Sequence, residues 1–153
     1  MTPQAPVAPL LVFGWGNLSR GDDALGPLCL ERLRAAGTLA GEADFLEDYQ
    51  LQVEHALDLV GRQRVLFVDA GCQGNAPFEV SRLRALRDAS FTTHAMSPQA
   101  LMQVYCDLQG EAAPPCTLLT IRGERFGLGE APSPRALDHL GAAVQWARSW
   151  LAS

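Results

Sequence analysis

Residues 13–27 read FGWGNLSRGDDALGP, a segment that joins an apolar run to a helical pattern. The run that leads into it, residues 9–13, predicts a buried strand, and the glycines predict a sharp turn where that strand ends. Two adjacent acids, Asp22 and Asp23, stand at the start of the predicted helix. Because open α/β sheets place their sites at the carboxyl ends of their strands, this acidic pair marks a candidate functional site.

Strands and helices alternate along the rest of the chain. Apolar and alternating runs predict strands at 9–15, 43–48, 64–71, 78–83 and 116–123. Helical periodicity predicts helices at 23–36, 53–60, 98–108 and 135–151. Ser97 is expected to cap the third helix. The terminal helix is expected to bury Leu137, Leu140, Val144 and Trp150.

This order of elements predicts an α/β fold. We expect a single three-layer αβα domain over 1–153, with a loose lead-in at 1–8. Its sheet is expected to be mostly parallel and twisted, with about five strands. The alternation at 78–83 is typical of a half-exposed edge strand, which we expect to be antiparallel.

Composition excludes several classes of protein. The chain has 153 residues, enough for one domain with a substantial core. Its net charge is −5 without a run of Lys or Arg, so no nucleic-acid or anionic-membrane surface is predicted. No segment approaches the roughly 20 apolar residues of a membrane span. The four cysteines lack C-x-x-C spacing, and Cys29 and Cys116 are expected to be buried, so we expect a cytoplasmic protein with reduced thiols.

Acidic residues also mark the ends of two further strands. The second predicted strand ends in Glu47 and Asp48, and the third carries Asp69 near its end. Because the carboxyl ends of parallel strands meet at one edge of a sheet, Asp23, Asp48 and Asp69 are expected around one crevice. A helix N-terminus favours one carboxylate, but two adjacent like charges raise each other's pKa. We therefore expect Asp22 to cap the helix and Asp23 to point into the site.

One histidine completes a possible metal-binding set. His94 lies in a polar segment just before the third helix, and its loop should return to the same edge of the sheet. Two carboxylates and a neutral imidazole suit a divalent metal, and the imidazole favours nickel or zinc over magnesium. His55 and His139 fall within predicted helices, where a surface or packing role is expected.

Other chemistries lack support. A dinucleotide fingerprint needs a third glycine that opens the helix, and two carboxylates at that position would repel phosphate. The chain has no Gly-Lys-Ser/Thr of a P-loop, no Gly-x-Ser-x-Gly elbow and no His-Glu-x-x-His. Nucleotide binding is therefore only a minor alternative, and standard nucleophilic catalysis is not predicted.

The glycine and aspartate pattern resembles a known family. The motif GxGN-(x)4-DDxxG at 14–26 is similar to the N-terminal signature of the nickel–iron hydrogenase maturation endopeptidases. The resemblance continues through Asp48 after the second strand, Asp69 in a Val-Asp-Ala triplet and His94 in a Thr-His pair. It therefore spans most of the chain in order.

The resemblance implies both an activity and a site. Members of the family are single αβα domains of the cytosol that cleave a C-terminal extension from the hydrogenase large-subunit precursor after nickel insertion. Asp23, Asp48 and His94 match the residues that recognise nickel carried by the precursor, and no permanently bound metal is implied. Asp69, Asn17 and Gln50 are then expected to contact the substrate or support the site, and Gly14, Gly16 and Asn17 to build the turn.

Two departures from the family pattern leave alternatives open. Ala24 stands where the family often has glycine, and 48–56 reads DYQLQVEHA where many members have a glycine-rich turn. The second stretch resembles the branch that serves cytoplasmic bidirectional or NAD-linked hydrogenases. It leaves Glu47, Gln50 and Glu54 as rivals of Asp48 for the second position. A non-catalytic metallochaperone or a nucleotide-binding α/β module remains the competing interpretation.

Overall fold

The computed structural model describes residues 7–37, 42–87 and 96–153. These ranges contain five strands: β1 (Leu10–Trp15), β2 (Ala43–Asp48), β3 (Arg64–Gly71), β4 (Phe78–Arg82) and β5 (Cys116–Arg122). They also contain three α-helices: α1 (Leu25–Ala35), α2 (Pro98–Gln109) and α3 (Pro134–Ala152). Two 3₁₀ helices span Gly21–Ala24 and Val53–Leu59.

The strands form one sheet in the order β2-β1-β3-β5-β4. β1 pairs in parallel with β2 and β3, and β3 pairs in parallel with β5. β4 lies at the edge, antiparallel to β5, and most of its residues are exposed. The predicted α/β fold, with a mostly parallel sheet and an antiparallel edge strand, is confirmed.

Helices cover both faces of the sheet. On one face, Leu10 and Val12 of β1 pack in a core with residues of α1 and α3. On the other face, Leu11 and Phe13 pack with residues of α2 and of the second 3₁₀ helix. Successive side chains of a strand point to opposite faces, and both faces of β1 are covered by helices. All six residues of β1 are therefore buried.

The structure corrects three local predictions. The segment predicted as a helix at 53–60 is a 3₁₀ helix, a form common in short connections such as this one before Gly61. The first helix begins as the 3₁₀ helix Gly21–Ala24 before it becomes α1. Leu137 is 37% exposed rather than buried, because the inward face of α3 passes through Ala136 and Leu140 instead.

Serine caps begin both later helices. The Ser97 side chain accepts a hydrogen bond from the Ala100 amide, as predicted, and Ser133 accepts one from Ala136. Proline follows each cap, where its missing N–H costs little. Within the described residues, no helix is both long and apolar enough to cross a membrane.

Candidate functional site

Two of the predicted acids flank the end of β1, the strand between β2 and β3. Trp15, the last residue of β1, pairs with Asp48 of β2. On the other side Gly14 pairs with Val68, which precedes Asp69 in β3. The prediction that these acid-bearing strand ends lie side by side is therefore confirmed.

Close packing of glycine backbone brings Asp23 to the same edge. A Cβ on Gly26 of α1 would lie 2.6 Å from the Trp15 carbonyl oxygen, so only glycine allows α1 to approach β1 this closely. A Cβ on Gly16 would lie 2.0 Å from the Asp23 carbonyl oxygen. The half-buried Asp23 carboxylate accepts a hydrogen bond from the Asn17 amide through Oδ2, at 2.7 Å. No other described residue donates to it.

Asp22 has a different environment, and its predicted role as a helix cap is wrong. Its side chain is fully buried and makes no capping bond to the 3₁₀ helix or to α1. Instead it accepts bonds from the amides of Glu124 (2.7 Å), Arg125 (2.9 Å) and Ser133 (2.6 Å), and from the Ser133 hydroxyl (2.8 Å). Burial alone would raise the pKa of Asp22, but these donors outweigh it and lower the pKa below its ordinary value.

Asp48 is held on both oxygens. Its Oδ1 accepts a bond from the Tyr49 amide at 2.6 Å, and its Oδ2 contacts Nε2 of His55 at 3.0 Å. The other nitrogen of His55, Nδ1, accepts a bond from the Gln52 amide at 2.8 Å, so the ring proton lies on Nε2 and is donated to Asp48. The ring also packs edge-on against Phe13, with centroids 4.6 Å apart. His55 therefore packs, as predicted, and in addition contacts Asp48, which the sequence pattern did not indicate.

Asn17 connects the two loops that follow β1 and β2, next to Asp23 and Asp48. Its side-chain oxygen accepts a bond from the Ser19 amide at 2.8 Å, which confirms that it supports the turn. Its Nδ2 donates to the Tyr49 hydroxyl at 2.6 Å, and the Gly16 amide donates to the Asp48 carbonyl at 3.2 Å. The loop after β1 and the loop after β2 are thus tied together beside the carboxylates.

Asp69 is a half-buried carboxyl with an unusual proton affinity. Burial raises its pKa to about 7, and the nearby negative charge of Asp23 acts in the same direction. A hydrogen bond of 2.8 Å from the Ala70 amide opposes this shift only in part. Near neutral pH, Asp69 is therefore present in both protonated and ionised forms.

The other predicted candidates have distinct surroundings. Glu47 and Asp48 point to opposite faces of the sheet, and the exposed Glu47 lies 3.6 Å from Arg34 of α1. Gln50 is half-buried and Glu54 is exposed. His94 falls in 88–95, outside the described residues. Among the described residues, no three His, Cys, Asp or Glu side chains are grouped so that they could hold a metal ion.

A cleft of about 410 Å³ lies at the opposite end of the sheet, where the parallel strands begin. It is lined by Arg64, Val80, Arg82, Pro115, Thr117, Trp146 and Trp150. These residues surround the starts of β3 and β5, and none of them is acidic. This cleft is therefore separate from the strand ends that carry the acids.

The same fold occurs in solved structures of hydrogenase maturation proteases. The chain is 22% identical to the [NiFe] hydrogenase maturation protease HycI from Thermococcus kodakarensis KOD1, with a TM-score of 0.74 over 95% of this chain and 94% of that one. It is 21% identical to the hydrogenase maturating endopeptidase HybD from E. coli, with a TM-score of 0.73 over 94% of this chain and 91% of that one. A hydrogenase 2 maturation peptidase from Thaumarchaeota archaeon SCGC_AB-539-E09 is 19% identical, with a TM-score of 0.66 over 93% and 97% of the two chains.

Comparisons based on sequence alone find no match. No protein-family model matches the chain. No curated protein matches it either. The similarity is therefore one of fold, and it extends over nearly the whole length of this chain and of each solved structure. The chain has the fold of the [NiFe] hydrogenase maturation proteases.

Proposed function

We propose that this chain is an endopeptidase that removes the C-terminal extension of a nickel–iron hydrogenase large-subunit precursor after nickel has been inserted. The observation that carries the proposal is that Asp23, in the 3₁₀ helix after β1, and Asp48, at the end of β2, lie in segments tied together through Asn17 at the carboxyl ends of the strands. The fold shared with the hydrogenase maturation proteases supports the same conclusion.

The nickel is part of the substrate in this proposal. Carboxylate oxygens and imidazole nitrogens are suitable ligands for nickel. Among the described residues, Asp23 uses one oxygen for the Asn17 amide, which leaves Oδ1 for the incoming ion. Asp48 accepts one bond on each oxygen, and each oxygen retains a second lone pair. We assign the third contact to His94, in line with the family pattern.

Exposed apolar side chains suggest how a protein substrate would contact the site. Leu18, Tyr49 and Leu128 are 65%, 62% and 70% exposed. Leu18 and Tyr49 lie in the loops that follow β1 and β2, near the two acids, and a bond of 2.6 Å from the Gly129 amide to the Ser19 carbonyl brings the loop of Leu128 beside them. We propose that these three side chains, the apolar rim, contact the precursor polypeptide.

The proposal is tested by direct measurement of cleavage. The purified chain is incubated with its cognate nickel-loaded precursor, and the new C-terminus is identified by mass spectrometry. We expect one defined cleavage with the wild-type chain and none with Asp23→Ala, which remains folded. Binding of the precursor or of nickel without any cleavage would contradict the proposal and favour a metallochaperone.

A further inference from the structure

The Asp48 carboxylate sits at the exposed end of a strand, yet it has little freedom to rotate. It is the last residue of β2, and 39% of its side chain is exposed. A carboxylate at such a position could turn about both of its side-chain bonds. The Tyr49 amide on Oδ1 and the His55 imidazole on Oδ2 together fix the plane of the carboxylate.

His55 is itself held rigidly. Only 12% of its side chain is exposed, and its ring rests on Phe13, which is almost fully buried in β1. Its Nδ1 accepts a hydrogen bond from the Gln52 amide, within a capping box at the start of the second 3₁₀ helix. Because the Phe13 ring and the Gln52 amide define the ring position, the Nε2–H group has one fixed direction, toward Asp48.

These contacts limit what His55 can do. Both ring nitrogens are engaged, so the imidazole could bind a metal or accept a proton only by giving up one of its bonds. A side chain that served only to fill space under Phe13 would need no donor aimed at a carboxylate. The remaining role is to orient Asp48.

We propose that His55 is a positioning residue that holds the Asp48 carboxylate in the orientation required by the nickel-bearing precursor. This inference rests on the proposed function of the site. Partners that orient a metal-contacting side chain typically contribute 10- to 100-fold to affinity or activity. The effect is expected to be geometric, because the bond places an oxygen rather than supplying a ligand.

Two variants separate positioning from packing. His55→Phe keeps an aromatic ring against Phe13 but removes the donor to Asp48. His55→Gln restores an N–H group that can reach the carboxylate. His139→Phe is the matched control, because His139 hydrogen-bonds the Arg122 carbonyl oxygen at 2.9 Å rather than a site acid.

Steady-state cleavage of nickel-loaded precursor is measured for each variant, with thermal unfolding to confirm that each is folded. We expect His55→Phe to lower kcat/KM about 10- to 100-fold, His55→Gln to recover most of that loss, and His139→Phe to cleave like the wild type. A folded His55→Phe with wild-type kinetics, or equal losses for Phe and Gln, would overturn the inference.

A second readout does not depend on cleavage. Long-range proton–nitrogen NMR spectra of the wild-type chain should show the His55 proton on Nε2, and this signal should shift in Asp48→Ala. An unchanged His55 signal in Asp48→Ala would refute the contact itself. Absence of cleavage by the wild-type chain would instead refute the proposed function, so the two failures are distinguishable.

Discussion

Asp22 and Asp23 are adjacent in the chain but have opposite roles in the structure. Asp22 is fully buried and accepts four hydrogen bonds from Glu124, Arg125 and Ser133. Asp23 is half-buried and accepts one hydrogen bond. The first carboxylate therefore connects the 3₁₀ helix before α1 to the loop before α3, whereas the second keeps one oxygen without a donor among the described residues.

This difference predicts opposite effects of the same substitution. Asp22→Asn places an amide group where only an acceptor can satisfy the surrounding donors, so we expect the free energy of unfolding to fall by about 2–4 kcal/mol. Asp23→Asn should leave the free energy of unfolding close to the wild-type value while it abolishes cleavage. Denaturant unfolding and the cleavage assay measure the two effects. Equal stability losses in both variants would contradict the assignment.

The raised pKa of Asp69 predicts a pH dependence of stability. Because its pKa is about 7 in the folded chain and near 3.8 when unfolded, the folded state binds the proton more tightly. Asp69 therefore contributes stability at low pH that is lost as the pH rises toward and through 7. Between about pH 4 and pH 8 the loss is up to about 4 kcal/mol.

Asp69→Asn removes this titration, so its free energy of unfolding should decline less than that of the wild type over the same pH range. Urea unfolding at several pH values provides the measurement. The changes at other groups are common to both proteins and cancel in the difference. Parallel stability curves for the two proteins would show that Asp69 titrates normally.

At the scale of elements, the apolar rim belongs to three separate loops held together by hydrogen bonds. Leu18→Ser and Leu128→Ser should weaken precursor binding and raise KM on the order of tenfold each, because each removes apolar contact area but no site acid. Leu108→Ser is the control, since Leu108 is similarly exposed (62%) but lies on α2. An equal rise in KM for Leu108→Ser would rule out a specific rim.

The sequence predicted the elements that depend on neighbouring residues, namely apolar runs and capping side chains. The buried runs of β1 and β3 and the serine cap of α2 are each encoded within a few residues, and all were predictable. The hydrogen-bond donors to Asp22 could not be predicted, because they lie 102 to 111 residues away in the sequence and belong to no motif. His55 was missed because its contact depends on how the 3₁₀ helix returns the chain to the end of β2.

At the scale of the whole molecule, the order of the strands explains why the acids lie at the same end of the sheet. β1 lies between β2 and β3, so the exits of three consecutive parallel strands share one edge. Helix α1 then returns across β1 and β3 with backbone contact at Gly26, which places Asp23 above the same edge. The topology thus brings Asp23, Asp48 and Asp69 from three distant parts of the sequence to the same end of the sheet.

The most direct test of this account compares nickel-loaded with nickel-free precursor. Both forms are incubated with the wild-type chain, and the C-terminus of each is determined by mass spectrometry. If Asp23 and Asp48 recognise nickel carried by the substrate, only the loaded precursor is cleaved, and Asp23→Asn cleaves neither form. Cleavage of both forms at the same rate would contradict the account.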